Sequence, residues 1–322
     1  MKLKKLFGAL AASAALAAAV PAQAGVIGMA DLAIKTFLLV SSGSTLTPGG
    51  VVPITTADVT LTSDSRTGNA TSSFNGVDGT GIGSSNIGPQ TGAVDVKYRC
   101  AGAGCATVNA TYGGTVENNT TTHLGAPSGN FALGDMYISG SAIDSTGANG
   151  LTRADSSVQN ATNAGSANAT ILNNVNALTT FTANTTMGVK FLLDYNAFLS
   201  VFIDALTPGQ TANASAAFSW SLSLKDLGTP TVPHSPTNVL SWTPDDINNG
   251  IAAATPSDNY SVTTGGPIFS DVFNLIGGHK YTLVINQASN STASLIPEPG
   301  SLLLVGLGLF ALAMTSRRRL NR

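Results

Sequence analysis

The sequence predicts an all-β body, a sandwich or jelly-roll-like domain with long Gly-, Ser-, Thr- and Asn-rich loops, followed by a single C-terminal transmembrane helix. Three observations carry that expectation. Apolar residues alternate with small polar ones over strand-length stretches, above all in 214–224, where Ala214, Ala216, Phe218, Trp220, Leu222 and Leu224 share one phase. Clusters of Gly, Pro, Asn and Ser punctuate the chain between such stretches. The last apolar run, 300–315, carries no charge and is long enough, at about 1.5 Å per helical residue, to span a thin bilayer core.

In chain order, Lys2, Lys4 and Lys5 precede an Ala-rich apolar stretch, and Ala22 and Ala24 supply the small residues of an A-x-A cleavage site. Residues 1–24 therefore read as a secretory signal peptide cut after Ala24. Residues 25–286 form the extracytoplasmic body; without both terminal signals roughly 270 residues remain, enough for one large domain with a core of its own. Strands are expected at 32–40 and 58–62. Val94, Val96 and Tyr98 alternate before Cys100, and Val108, Ala110 and Tyr112 alternate after Cys105, so the two cysteines are expected to close a β-hairpin. Export places them in an oxidising compartment, which favours a Cys100–Cys105 disulfide worth about 2 kcal/mol for so short a loop.

Further strands are expected at 131–138, 177–182 and 259–263, and a last one at 281–286 after the Gly277-Gly278 turn. The stretches 63–90 and 145–169 hold few large apolar residues and read as long surface loops. Residues 187–206 show helical spacing as well as alternation; the β neighbours and Asn196, a good turn residue, favour two strands turning there. Residues 287–296 are polar and read as an accessible tether to the segment 297–322.

The chemistry expected of the body is sparse. Only 10% of residues are charged and the net charge is −2, so no basic face exists to neutralise phosphates, and nucleic acid is not an expected partner. His123, His234 and His279 are isolated in the sequence and fall in no HxH or HExxH pattern, and no G-x-S-x-G elbow is present. No enzyme activity, cofactor or metal site is therefore expected. Asp245 and Asp246 with Asn248 and Asn249, and next Asp78, come closest to an oxygen-ligand set for calcium, but a turn or helix cap accounts for the former more simply. Gly76, Gly79, Gly81 and Gly83 lack the strand and helix of a nucleotide loop. Trp220 shares a face with Phe218 and Leu222 and reads as core. Trp242, flanked by turn residues, is the candidate glycan contact, with Tyr260 as its neighbour on such a surface.

The end of the chain is more explicit. Pro297, Glu298 and Pro299 cannot extend a helix, the apolar run follows, and Arg317, Arg318 and Arg319 close it as a basic cluster that stays cytoplasmic. Motif, spacing and basic end together resemble the C-terminal sorting signal of the PEP-CTERM family, over residues 297–322 only. The resemblance implies processing by an exosortase, an integral-membrane cysteine transpeptidase of Gram-negative bacteria that make extracellular polysaccharide. The nucleophile would belong to that partner. It further implies a chain held transiently in the inner membrane and then delivered to the cell surface or extracellular matrix. The leading expectation is a structural or adhesive role in envelope, biofilm or exopolysaccharide. A glycan-binding β-sandwich module is the alternative, and a secreted hydrolase built from distant loops comes third.

Overall fold

A computed structural model describes residues 24–81, 92–114, 116–119, 121–125, 129–159, 164–206 and 209–296. The early strands are β1 (Gly25–Ser41), β2 (Val59–Thr67), β3 (Ala70–Phe74), β4 (Val77–Asp78), β5 (Thr80–Gly81) and β6 (Val94–Ala101). The long middle strands are β7 (Phe131–Gly140), β8 (Ala148–Gln159), β9 (Gly165–Ala183), β10 (Met187–Ile203) and β11 (Thr211–Gly228). The last are β12 (Pro233–Trp242), β13 (Asn249–Ala253), β14 (Tyr260–Phe269), β15 (Phe273–Leu275) and β16 (Lys280–Ile296). They make two eight-stranded sheets. The first runs β14-β10-β1-β8-β7-β6-β5 with β15 also on β10; the second runs β12-β11-β16-β9-β3-β4 with β13 on β11 and β2 on β9. The sheets lie face to face in a sandwich-like all-β arrangement, with one core cluster drawn from the inner faces of both.

Side-chain parity explains which residues meet in that core. In β1, Val26, Ala30, Leu32 and Ile34 point inward, a bulge falls between Ile34 and Thr36, and the inward phase then passes to Phe37 and Leu39. The inner face changes in size along its length. At one end Phe191 stacks on Phe37 at 5.0 Å, Phe37 meets Trp220 edge-on at 5.5 Å, and Trp220 meets Trp242 at 5.5 Å. Elsewhere the facing residues are small: Ala30 and Gly28 oppose Ala214, Ala216 and Ala293. A Cβ on Gly28 would lie 2.4 Å from the Ser215 carbonyl oxygen and 2.6 Å from that of Thr292, so the second sheet's backbone approaches where glycine leaves room.

Four expectations need correction. The stretch 187–206 holds one strand, β10 (Met187–Ile203), rather than two. Val189, Phe191, Leu193, Tyr195, Ala197, Leu199, Val201 and Ile203 are all buried on one phase, and Ala197 carries that phase past Asn196 without a break. The hairpin after the cysteines is absent: a 3-10 turn (Ala103–Thr107) leads into a helical turn (Val108–Thr111), and Val108 and Tyr112 are buried at the i, i+4 spacing of a helix.

The stretch 145–169 is mostly strand, comprising β8 and the start of β9. Its inner hydroxyls are buried because they find partners across the sandwich: Thr152 Oγ1 lies 2.8 Å from Ser289 Oγ, and Ser156 Oγ 2.9 Å from Ser291 Oγ. Likewise 63–81 holds the end of β2 and strands β3 to β5, with Asn75 and Gly76, both at positive φ, turning β3 into β4.

The fourth correction concerns 287–296, which is no tether. It is the second half of β16, paired with β11 on one side and β9 on the other. Gln287, Ser289 and Ser291 are buried there, and Gln287 Nε2 donates across the sandwich to the Leu32 carbonyl at 2.7 Å. Polar residues are tolerated in this central strand because the facing strand β8 is equally polar.

Candidate functional site

The first sheet is covered on its outer face too. The segment between β6 and β7, as far as it is described, folds back over β1, β8 and β7 as a flap. Beneath it Ile27, Met29, Tyr98, Val108, Tyr112, Phe131 and Leu133 form a second, smaller apolar cluster. Cys100 at the end of β6 and Cys105 in the 3-10 turn are disulfide-bonded, so the flap's entry is fixed to its strand.

Charges hold the rest of the flap down. Asp31, Arg153 and Asp135 stand opposite one another on adjacent strands β1, β8 and β7. The buried Arg153 pairs with Asp155 at 2.7 Å, donates to the Asn119 and Thr122 carbonyls at 2.7 Å each, and lies over the Tyr112 ring at 4.4 Å. Tyr112 donates its hydroxyl proton to Asp155 at 2.6 Å, and the Asn118 backbone N–H donates to Asp135 at 2.7 Å. Burial opposes the Arg153 charge, but the anionic Asp155 and its neighbours outweigh it and hold the guanidinium more firmly protonated. Burial pushes the Asp135 carboxyl up to about 8, with the charge of Glu117 adding to the rise. Burial likewise raises Asp31 above the ordinary carboxylate range, against the lowering effect of its bond to His123.

His123 stands where the flap meets β10 and β14. Its ring stacks on Phe198 with centroids 3.8 Å apart, and its Nε2 is 3.1 Å from Asp31 Oδ2. Beside it opens a cleft of about 430 Å³ lined by His123, Leu124, Phe198, Phe202, Asn259 and Tyr260. Tyr260 is 52% exposed. Asn259 is locked by two hydrogen bonds to the backbone of Ile203, so that wall is rigid. Among the described residues no serine or threonine hydroxyl hydrogen-bonds the His123 ring. Aromatic faces with polar edges can hold a ring-shaped polar ligand here.

The residues singled out in the sequence are scattered over the body. Trp220 is buried. Trp242 is half-buried against Trp220 in the second sheet, whereas Tyr260 belongs to the first. Asp245 and Asp246 begin a 3-10 turn, and the Asn248 amide bonds Trp220 N and O and the Pro244 carbonyl rather than standing free as a ligand. Asp78 lies in β4. The histidines are not isolated in space: besides the His123–Asp31 pair, His234 and His279 both face Asp226. Sequence reading missed Arg153 and Asp155, although Leu151, Arg153, Asp155 and Ser157 share one strand phase and could have been found by it.

Ala24 is buried at the start of β1; Ala22 lies outside the described residues. So do Pro297, Glu298, Pro299, the expected transmembrane run and Arg317, Arg318 and Arg319. Among the described residues no helix is long and apolar enough to cross a membrane. Ile296, the last described residue, pairs with Thr211, so the Pro-Glu-Pro motif follows the sandwich directly.

No curated protein matches this chain. One family model does: the PEP-CTERM protein-sorting motif, over residues 295–319, a segment that opens on the last two residues of β16. A match to this motif implies export and processing by an exosortase. The chain thus carries, overlapping the end of β16, the sorting motif of exosortase-targeted surface proteins.

Proposed function

We propose that this is a non-enzymatic surface or matrix protein whose sandwich-like body serves a structural or adhesive role in the cell envelope, biofilm or exopolysaccharide. The observation that carries the reading is the sorting motif at 295–319, which opens on the last two residues of β16; on this reading the folded body is the part delivered outside. On this reading the apolar run holds the chain in the inner membrane, Arg317, Arg318 and Arg319 keep its end cytoplasmic, and exosortase cuts near Pro297-Glu298-Pro299. Expressed with a matching exosortase, the chain should leave the membrane fraction; without the enzyme, or with Glu298→Gln, it should stay there. Equal release of the Glu298→Gln variant would remove the sorting role from that residue.

A second reading, glycan binding, is favoured by the cleft at His123, Phe198 and Tyr260, with its exposed aromatic ring on a rigid wall. Polysaccharide pull-down should then fall with Tyr260→Ala and be little affected by Trp242→Ala, whose ring is already engaged by Trp220. Equal retention by the Tyr260→Ala variant would leave the structural role alone.

A further inference from the structure

Asp226 near the end of β11, His234 in β12 and His279 in the turn before β16 come from three separate parts of the chain and converge at one end of the second sheet. One ligand atom of each lies within 4.8 Å of the others. His279 Nδ1 is 2.9 Å from Asp226 Oδ2, and His234 Nε2 is 3.6 Å from Asp226 Oδ1. In a tetrahedral site with bonds of about 2.0–2.1 Å the donor atoms stand roughly 3.3 Å apart, so these positions need only small adjustments. The exposed His234 side chain is free to make them.

Four features prepare the group for a cation. His234 Nδ1 is 2.8 Å from the Ser235 carbonyl, an atom that only accepts, so Nδ1 carries the proton. That leaves Nε2, 3.6 Å from Asp226 Oδ1, as the nitrogen a metal could take in the neutral ring. The Asp226 carboxylate is oriented by the Gly228 N–H, 2.7 Å from Oδ1. Gly228, at φ +78, has no side chain where a Cβ would lie 2.8 Å from His234 Cδ2, and this vacancy admits the ring. On the other side the turn bearing His279 is tied to β9, with Gly278 N donating to the Ala183 carbonyl at 2.7 Å and Ala183 N to the His279 carbonyl at 3.0 Å.

We infer that Asp226, His234 and His279 form a binding site for a first-row divalent transition metal, with zinc the best fit to two imidazoles and one carboxylate. Three protein ligands leave a fourth position open on the solvent side, where His234 is exposed. The bound ion would clip the β11–β12 hairpin to the start of β16. From Lys280 to Ile296 β16 extends about 3.4 Å per residue, which puts the metal at the far end of the strand from the sorting motif, roughly 50 Å away.

The test is isothermal titration of tag-free, metal-stripped protein with zinc chloride, comparing the parent with His234→Ala, His279→Ala and His123→Gln. One equivalent should bind to the parent and to His123→Gln, and either of the other substitutions should weaken binding by about 10-fold or more. Circular dichroism of the metal-free variants checks that they remain folded, so that weakened binding can be assigned to the lost ligand. Absence of a saturable site in the parent, or affinity in His234→Ala and His279→Ala equal to the parent's, would overturn the proposal.

Discussion

β8, in the middle of the first sheet, is buried on both faces, and the two faces solve the problem of buried polarity in opposite ways. Between β8 and β16 the polar groups are neutral: Thr152, Ser156, Gln287, Ser289 and Ser291 bond one another or backbone across the interface. Under the flap they are ionisable: Asp31, Asp135, Arg153, Asp155 and Tyr112 share a partly satisfied network, in which Asp31 Oδ1, Asp135 Oδ1 and Asp155 Oδ1 lack hydrogen-bond partners. Neutral hydroxyl pairs cost little to bury and respond little to solution conditions, whereas buried charges are costly to unpair and sensitive to pH. The β8–β16 contact is thus indifferent to pH, whereas the seat of the flap depends on pH.

The largest expected effect tests the charged face. Arg153→Ala leaves Asp155 and Asp31 without their cation and should destabilise the protein by about 3–5 kcal/mol, with the flap becoming protease-sensitive first. Urea unfolding with limited proteolysis reads both. A loss below about 1 kcal/mol would place Arg153 among the weak surface pairs and erase the contrast.

Next comes pH. The native Asp135 carboxyl, held up to about 8, keeps a proton that the unfolded chain releases near its ordinary value of 3.8. The stability associated with that proton is fully present below about pH 4 and is lost as pH rises through 8. Glu117 and Asp31, also raised by burial, act with the same sign. Melting temperature should fall between pH 5 and pH 8, by about 2–4 °C for each kcal/mol lost. Asp135→Asn should flatten the slope without abolishing it. A variant slope as steep as the parent's would show that Asp135 does not carry the dependence.

The smallest effect sharpens the other face. Replacing Ser156 and Ser291 together by Ala removes a matched pair and should cost less than about 1 kcal/mol; either alone should cost more than the pair, because it strands a buried hydroxyl. Additive losses in the double-mutant cycle would argue against the pairing.

The contrast also explains what the sequence did and did not disclose. Strands with one apolar phase, such as β11 and the end of β7, were legible because alternation records a face buried against apolar neighbours. β8 and the second half of β16 were not, because each buries hydroxyls against the other, and neither segment alone reports a partner 130 residues or more away (Thr152 and Ser289 are 137 apart). Polarity of this kind makes such strands look like a loop and a tether in the sequence. Asp226, His234 and His279 escaped for the same reason: they are neighbours only through the pairing of β11 with β12 and β16. The disulfide pair needed only short spacing and an oxidising compartment, and the sorting motif is contiguous and declares itself in a single window.

That motif carries the central claim, and mass spectrometry of the exported protein's C-terminus tests it most directly. In a host with a matching exosortase the mature product should end near Pro297-Glu298-Pro299 and lack the apolar run and Arg317, Arg318 and Arg319, with β16 intact through Ile296. Recovery of exported protein that still ends in Arg322 would contradict the account.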